Sequence, residues 1–163
     1  MDREFCAFSG HRLLPREAAS LLPKLLQRQI VALAEEGCTG FLCGGALGFD
    51  TLAAEAVLGL REQYPELFLS LAVPCPDQDR SWPAEARRRY RAILEAADET
   101  VLISDHYHRG CMMLRNRYMI DRSRMLVCYL TDMKGGTAGT VRYALQQNLP
   151  VVNLAMEIQN LEE

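Results

Sequence analysis

Hydrophobic residues fall into two alternating patterns along the chain, short unbroken runs and longer stretches in which they recur every three or four positions. The runs at 4–8, 41–43, 67–73, 100–103, 125–130 and 151–154 have the length and continuity of strands buried on both faces. Between them lie helical stretches. In 14–37 the stripe is Leu22, Leu25, Leu26, Ile30 and Leu33, and after residue 46 it is Leu47, Leu52, Ala53, Ala56, Val57 and Leu60. Shorter helices are predicted over 84–97, 111–122 and 141–148. Pro15 or Pro23 suits the first turn of the first helix, Gly37 its end, and Tyr64-Pro65 the end of the second. The tail from Glu157 is acidic and expected to fray. Strands alternating with helices predict an α/β chain with a doubly wound, mostly parallel sheet of about six strands and helices on both faces. Neither linker nor repeat divides it, so residues 1–163 read as a single domain.

In such sheets ligands bind beyond the carboxyl ends of the strands, which directs attention to the loops at 9–12, 44–50, 74–82, 104–110 and 134–140. Two are glycine turns opening helices. Gly44, Gly45 and Gly48 precede Asp50 in the first, and Gly135-Gly136-Thr137 is followed by Thr140 in the second. Glycines there let backbone approach a ligand, and a helix start aims unpaired N–H groups at it, an arrangement suited to phosphate. Gly10, His11 and Arg12 close the first strand, with His11 and Arg12 able to reach a phosphate or a base. Asp50 can cap its helix or accept bonds from ribose hydroxyls. Trp82 can stack on a base or cap the core. Neither a Walker A loop nor Gly-x-Gly-x-x-Gly occurs, which argues against a P-loop ATPase or a standard dinucleotide dehydrogenase.

Composition narrows the partners. The net charge of −3 gives no overall basic field for nucleic acid, and Arg87, Arg88, Arg89 and Arg91 are offset by Glu85 and Glu95. No run reaches 18 apolar residues, and Met1-Asp2-Arg3-Glu4 leads into only a short apolar stretch, so a soluble, cytoplasmic protein without a membrane segment is expected. The six cysteines lack any Cys-x-x-Cys pair and read as buried thiols rather than disulfides. His106, His108 and Cys111 have no further ligand at recognised spacing, so no metal is expected.

Taken together, Gly10-His11-Arg12, Gly44-Gly45-Ala46-x-Gly48-x-Asp50, Arg115-Asn116-Arg117 and Gly135-Gly136-Thr137-x-x-Thr140-Val141 resemble the SLOG superfamily, in particular its YpsA-like branch, from about residue 5 to 154. That resemblance implies a Rossmann-like domain that binds a nucleotide or nucleotide-derived ligand, and its relatives often form homodimers. Lonely Guy phosphoribohydrolases and the DNA-processing protein DprA are more distant relatives. Against the hydrolase motif, Lys134 stands in place of proline and Arg142 where a glutamate is expected, while Arg115 matches the motif's arginine and Asn116 replaces a lysine. The expected function is therefore binding of NAD, ADP-ribose or a nucleoside monophosphate as a sensor or regulatory module. Gly44, Gly45, Gly135, Gly136, Thr137 and Thr140 would hold phosphate, with Arg12 and Arg115 adding charge. An N-glycosidic hydrolase using Arg115 with Asp50, Asp105 or Asp121 is the alternative. Binding of nucleic acid or a protein partner through residues 87–91 comes third.

Overall fold

The computed structural model describes residues 5–161. Glu4, assigned above to the first strand, and the last two glutamates of the tail lie outside them. Six strands form one sheet: β1 (Phe5–Gly10), β2 (Gly40–Cys43), β3 (Phe68–Val73), β4 (Glu99–Leu102), β5 (Ser123–Tyr129) and β6 (Val151–Asn153). Every neighbouring pair is parallel, in the order β4-β3-β2-β1-β5-β6. The architecture is the α/β Rossmann-like sheet expected, wholly parallel among the described residues.

Helices cover both faces. Helices α1 (Arg16–Glu35), α2 (Phe49–Gly59) and α3 (Ala84–Ala96) pack on one face with α6 (Leu154–Leu161), over a core containing Phe8, Phe41 and Phe49. The Phe8 and Phe41 rings stack at 5.6 Å. Helices α4 (Cys111–Asp121) and α5 (Gly136–Gln146) pack on the opposite face through Met119, Ile120, Val141 and Ala144. The division follows from connection handedness. From β1 to β4 each strand is added on the same side, so right-handed crossovers keep α1, α2 and α3 on one face. The chain then returns across the sheet to lay β5 against the free side of β1, which puts α4 and α5 on the other face. Strand order thus reverses between β1 and β5, where the two loops diverge and leave a crevice.

Several element boundaries differ from the sequence reading: α2 stops at Gly59, short of Tyr64-Pro65, and β5 starts at Ser123, ahead of the apolar run from residue 125. Pro15 is the N-cap of α1, while Pro23 lies inside that helix. Helix α5 begins at Gly136 rather than at residue 141, because Gly135 takes the turn at φ 92° and releases the chain into helix immediately. The tail from Glu157 does not fray as far as residue 161. Leu154 and Ile158, one turn apart, are buried in the core, and the Asn153 side-chain oxygen accepts the Ala155 N–H at 3.1 Å as an N-terminal cap.

All six cysteines are free thiols buried in the fold. Burial pushes Cys43 well above the usual thiol range and Cys128 up to about 12. Among the described residues no helix is long and apolar enough to cross a membrane, and no cluster of three or more metal-ligating side chains occurs.

Candidate functional site

The crevice between β1 and β5 is a cleft of about 200 Å³. Its walls come from the β1 end (Ser9, Gly10, His11, Arg12), the first glycine turn (Ala46, Asp50), α4 (Met112, Arg115, Asn116, Met119) and the second glycine loop (Lys134, Gly135, Gly136, Thr137). Residues far apart in sequence meet here because the strand ends meet here.

His11 ties the two sides of the crevice together. Its Nε2 accepts the backbone N–H of Thr131 at 2.9 Å and of Asp132 at 3.3 Å, so a neutral ring carries its proton on Nδ1. The ring also meets Tyr129 edge-on. His11 therefore positions the β5 loop, and the exposed Arg12 is the neighbour that presents charge.

The first glycine turn is filled by protein. A Cβ on Gly44 would overlap the Arg115 guanidinium, and one on Gly10 would overlap the Phe49 ring. Gly45 has φ 69° with the Tyr90 ring 3.0 Å from its would-be Cβ, and Gly48 has φ 76° against the Arg12 carbonyl. None of Gly44, Gly45 or Gly48 lines the cleft. The start of α2 is also occupied, since the Phe49 N–H donates to the His11 carbonyl at 3.2 Å. This turn sends only Ala46 and Asp50 to the cleft wall.

Asp50 is 5% exposed. Its Oδ2 accepts the Ala46 N–H at 3.2 Å, while its buried Oδ1 has no partner. Burial, opposed by Arg115, pushes the carboxyl up to about 6. An orphan carboxylate oxygen at such a site is costly unless a donor arrives from the cleft.

Arg115, also on the cleft wall, is 4% exposed. Its Nη1 donates to the carbonyls of Gly44 at 2.8 Å and Ala72 at 3.4 Å, and its Nε to Asn116 Oδ1 at 2.9 Å. Burial pulls the guanidinium below its ordinary value, and Asp50 is the first of the groups opposing that shift. The strand ends thus hold a buried cation by neutral oxygens. Met112 Sδ lies 3.7 Å from Arg115 Nη2 and 3.8 Å from Arg12 Nη2, so a polarizable sulfur joins the two arginines. No carboxylate among the described residues forms an ion pair with Arg12, Arg115 or Lys134. An acidic chain thus carries a cleft lined by Arg12, Arg115 and Lys134.

The second glycine loop is open. Added Cβ atoms on Gly135 and Gly136 would meet nothing within 4 Å. The first intrahelical bond at the start of α5 runs from Gly139 N–H to the Gly135 carbonyl at 3.2 Å, so the N–H groups of Gly136, Thr137 and Ala138 have no helical acceptor.

Four residues singled out in the sequence lie elsewhere, the first being Asp105, exposed and paired with the His106 ring at 2.6 Å. Trp82 is buried edge-on against Tyr90 at 5.1 Å, off the cleft wall. Asp121 accepts the Tyr143 hydroxyl at 2.6 Å on the surface. Thr140 bonds its own helix at the Gly136 carbonyl, 3.0 Å away, and lines a neighbouring groove instead. The arginine run of α3 is paired: Arg87 and Arg91 face Asp79, Arg88 binds Glu85 and Arg89 binds Glu55. Sequence reasoning missed Lys134 and Met112 as cleft residues. Lys134 could have been found from its place directly before the glycine pair.

Comparison with known proteins bears on the family and the fold. The chain is 37% identical over 117 residues to UPF0398 protein BH1768 of Halalkalibacterium halodurans, an alignment covering 70% of this chain and 62% of that one. It is 30% identical to the SPbeta prophage-derived protein YoqJ of Bacillus subtilis, over 73% of this chain and 80% of YoqJ. Among solved structures, DNA processing protein A of Helicobacter pylori superposes with a TM-score of 0.64 at 22% identity, covering 92% of this chain and 64% of that one. The molybdenum cofactor carrier protein of Chlamydomonas reinhardtii gives 0.58 at 19%, covering 94% and 78%. These two likenesses show the fold. The family model that matches residues 4–158 is the YspA SLOG family, and the chain belongs to it.

Proposed function

We propose that the cleft binds the phosphorylated ribose of a nucleotide or nucleotide-derived ligand, and that the protein serves as a sensor or regulatory module for it. One observation carries this reading: cations that form no ion pair with a carboxylate, the open start of α5 and a buried carboxylate with an orphan oxygen all line one cleft of about 200 Å³. Phosphate suits the first wall, where Arg12, Lys134 and the α5 N–H groups offer charge-assisted donors. A ribose hydroxyl suits Asp50 Oδ1, which lacks only a donor. One fold neighbour is a molybdenum cofactor carrier protein, a precedent on this fold for a cofactor guest. The DNA processing protein A of Helicobacter pylori, which binds single-stranded DNA, is the contrasting case, and the paired arginines of α3 offer this chain little such surface. Six buried free thiols suit a reducing cytoplasm.

Asp50 also favours one second reading. Hydrolysis of an N-glycosidic bond needs a carboxylate near the ribose, and with Arg142 standing at the motif's glutamate position, Asp50 is the acid on the cleft wall. A thermal-shift screen with AMP, ADP-ribose, NAD and ribose 5-phosphate, followed by chromatography of each mixture, tests both. Ligand at one hundred times its Kd stabilises by about 2.7 kcal/mol. A shift with intact ligand supports the sensor, and free base in the mixture supports the hydrolase. Absence of any shift would sink both.

A further inference from the structure

A second cavity, about 520 Å³, runs along the groove between α4 and α5 and shares Met112, Asn116, Gly135 and Gly136 with the cleft. Small-molecule sites usually enclose roughly 300 to 1,000 Å³, so the cleft alone is short of a whole nucleotide while the groove beside it is ample. The groove's chemistry differs from that of the cleft. Met113 and the Tyr143 ring give it apolar surface, with Arg117 lying over that ring at 5.2 Å and the Tyr143 hydroxyl anchored on Asp121. Arg142 borders it and donates only to the Met133 carbonyl, and neither Arg142 nor Arg117 pairs with a carboxylate among the described residues. Gly139 keeps its floor low, since a Cβ there would meet only Arg142.

Resting on the nucleotide reading above, we propose that the α4/α5 groove is the second half of the same site. It takes whatever is esterified beyond the first phosphate, a second phosphate against Arg142 or Arg117 and a ring against Tyr143 and Met113. The ligand class is then a two-part nucleotide, a dinucleotide or a nucleoside diphosphate joined to a sugar, rather than a mononucleotide. Continuity fixes the order of parts. The shared glycines at the start of α5 are where one phosphate can touch both compartments, so the diphosphate bridges there.

Calorimetric titration of the full chain with AMP, ADP-ribose and NAD tests this, repeated on Arg142→Ala and on Gly139→Leu, which fills the groove by bulk. Arg142 is exposed, so its truncation leaves the core intact. The better two-part ligand should bind about ten- to a hundredfold tighter than AMP, the gain that one or two charge-assisted contacts supply. That ratio should fall toward one in both variants. A ratio near one in the unmodified protein, or a ratio unchanged in both variants, overturns the two-part site while leaving the nucleotide reading standing. Failure of all three ligands, AMP included, overturns the nucleotide reading and this proposal with it.

Discussion

The two glycine turns look alike in sequence, each a Gly-Gly pair between a strand and a helix, yet the fold uses them oppositely. In the β2–α2 turn the missing Cβ atoms make room for protein: the Arg115 guanidinium beside Gly44, Tyr90 beside Gly45, and the Arg12 carbonyl beside Gly48. In the β5–α5 turn Gly135 and Gly136 face open space at the cleft. The first turn is a socket for the site's own arginine, and the second is the surface left for a guest. A glycine pair before a helix therefore identifies close approach without saying what approaches.

Substitutions can break that comparison. The largest effect is expected for Gly48→Ala, which strains a residue at φ 76° and drives a methyl into the Arg12 backbone; a loss of about 3 kcal/mol in chemical denaturation is expected. A loss below about 1 kcal/mol would show the first turn to be as open as the second. Next comes Arg115→Ala, expected to weaken phosphate-bearing ligands by about 1.5 to 3 kcal/mol. An equal loss for a nucleoside without phosphate would remove Arg115 from that wall.

Asp50→Asn should act in the opposite direction on stability. The native carboxyl sits near 6 against an ordinary 3.8, so the folded state holds a proton that the unfolded chain releases. This group's favourable contribution is complete below about 3.8 and is lost as pH rises through about 6. At pH 7 the amide should therefore raise stability by about 3 kcal/mol, an advantage that disappears near pH 4. Thermal melts across that range read it directly, and an Asn variant less stable at both pH values would contradict a strained carboxylate. The smallest stability effect belongs to Gly136→Ala, within about 1 kcal/mol of the unmodified protein, since the new methyl meets nothing. Phosphate-ligand affinity should fall in this variant while its melting curve stays in place. Loss of fold instead would make the two turns equivalent.

Strands were the most legible part of the sequence. A parallel strand covered on both faces is apolar along nearly its whole length, and the run at 67–73, broken only by Ser70, shows it, matching β3 within a residue. Helix α6 was obscured because only Leu154 and Ile158 mark its apolar side and acidic residues follow, although Asn153 directly before them is a readable cap. At the site, the sequence supplied the residues but not their division of labour. Which glycine faces Arg115 and which faces the cleft depends on where α4 crosses the strand ends, and no local pattern encodes that crossing. Trp82 shows the same limit: a tryptophan in a polar loop reads equally as a stacking platform or a lid, and only the position of Tyr90 decides.

The buried cysteines leave the molecule's exterior chemically silent toward thiol reagents, because every thiol in it is packed away from solvent. One cysteine introduced at Gln146, exposed at the mouth of the α4/α5 groove, would then be the sole handle for a fluorophore. The chain carrying that one change becomes its own reporter, with an optical signal from the groove each time a guest arrives.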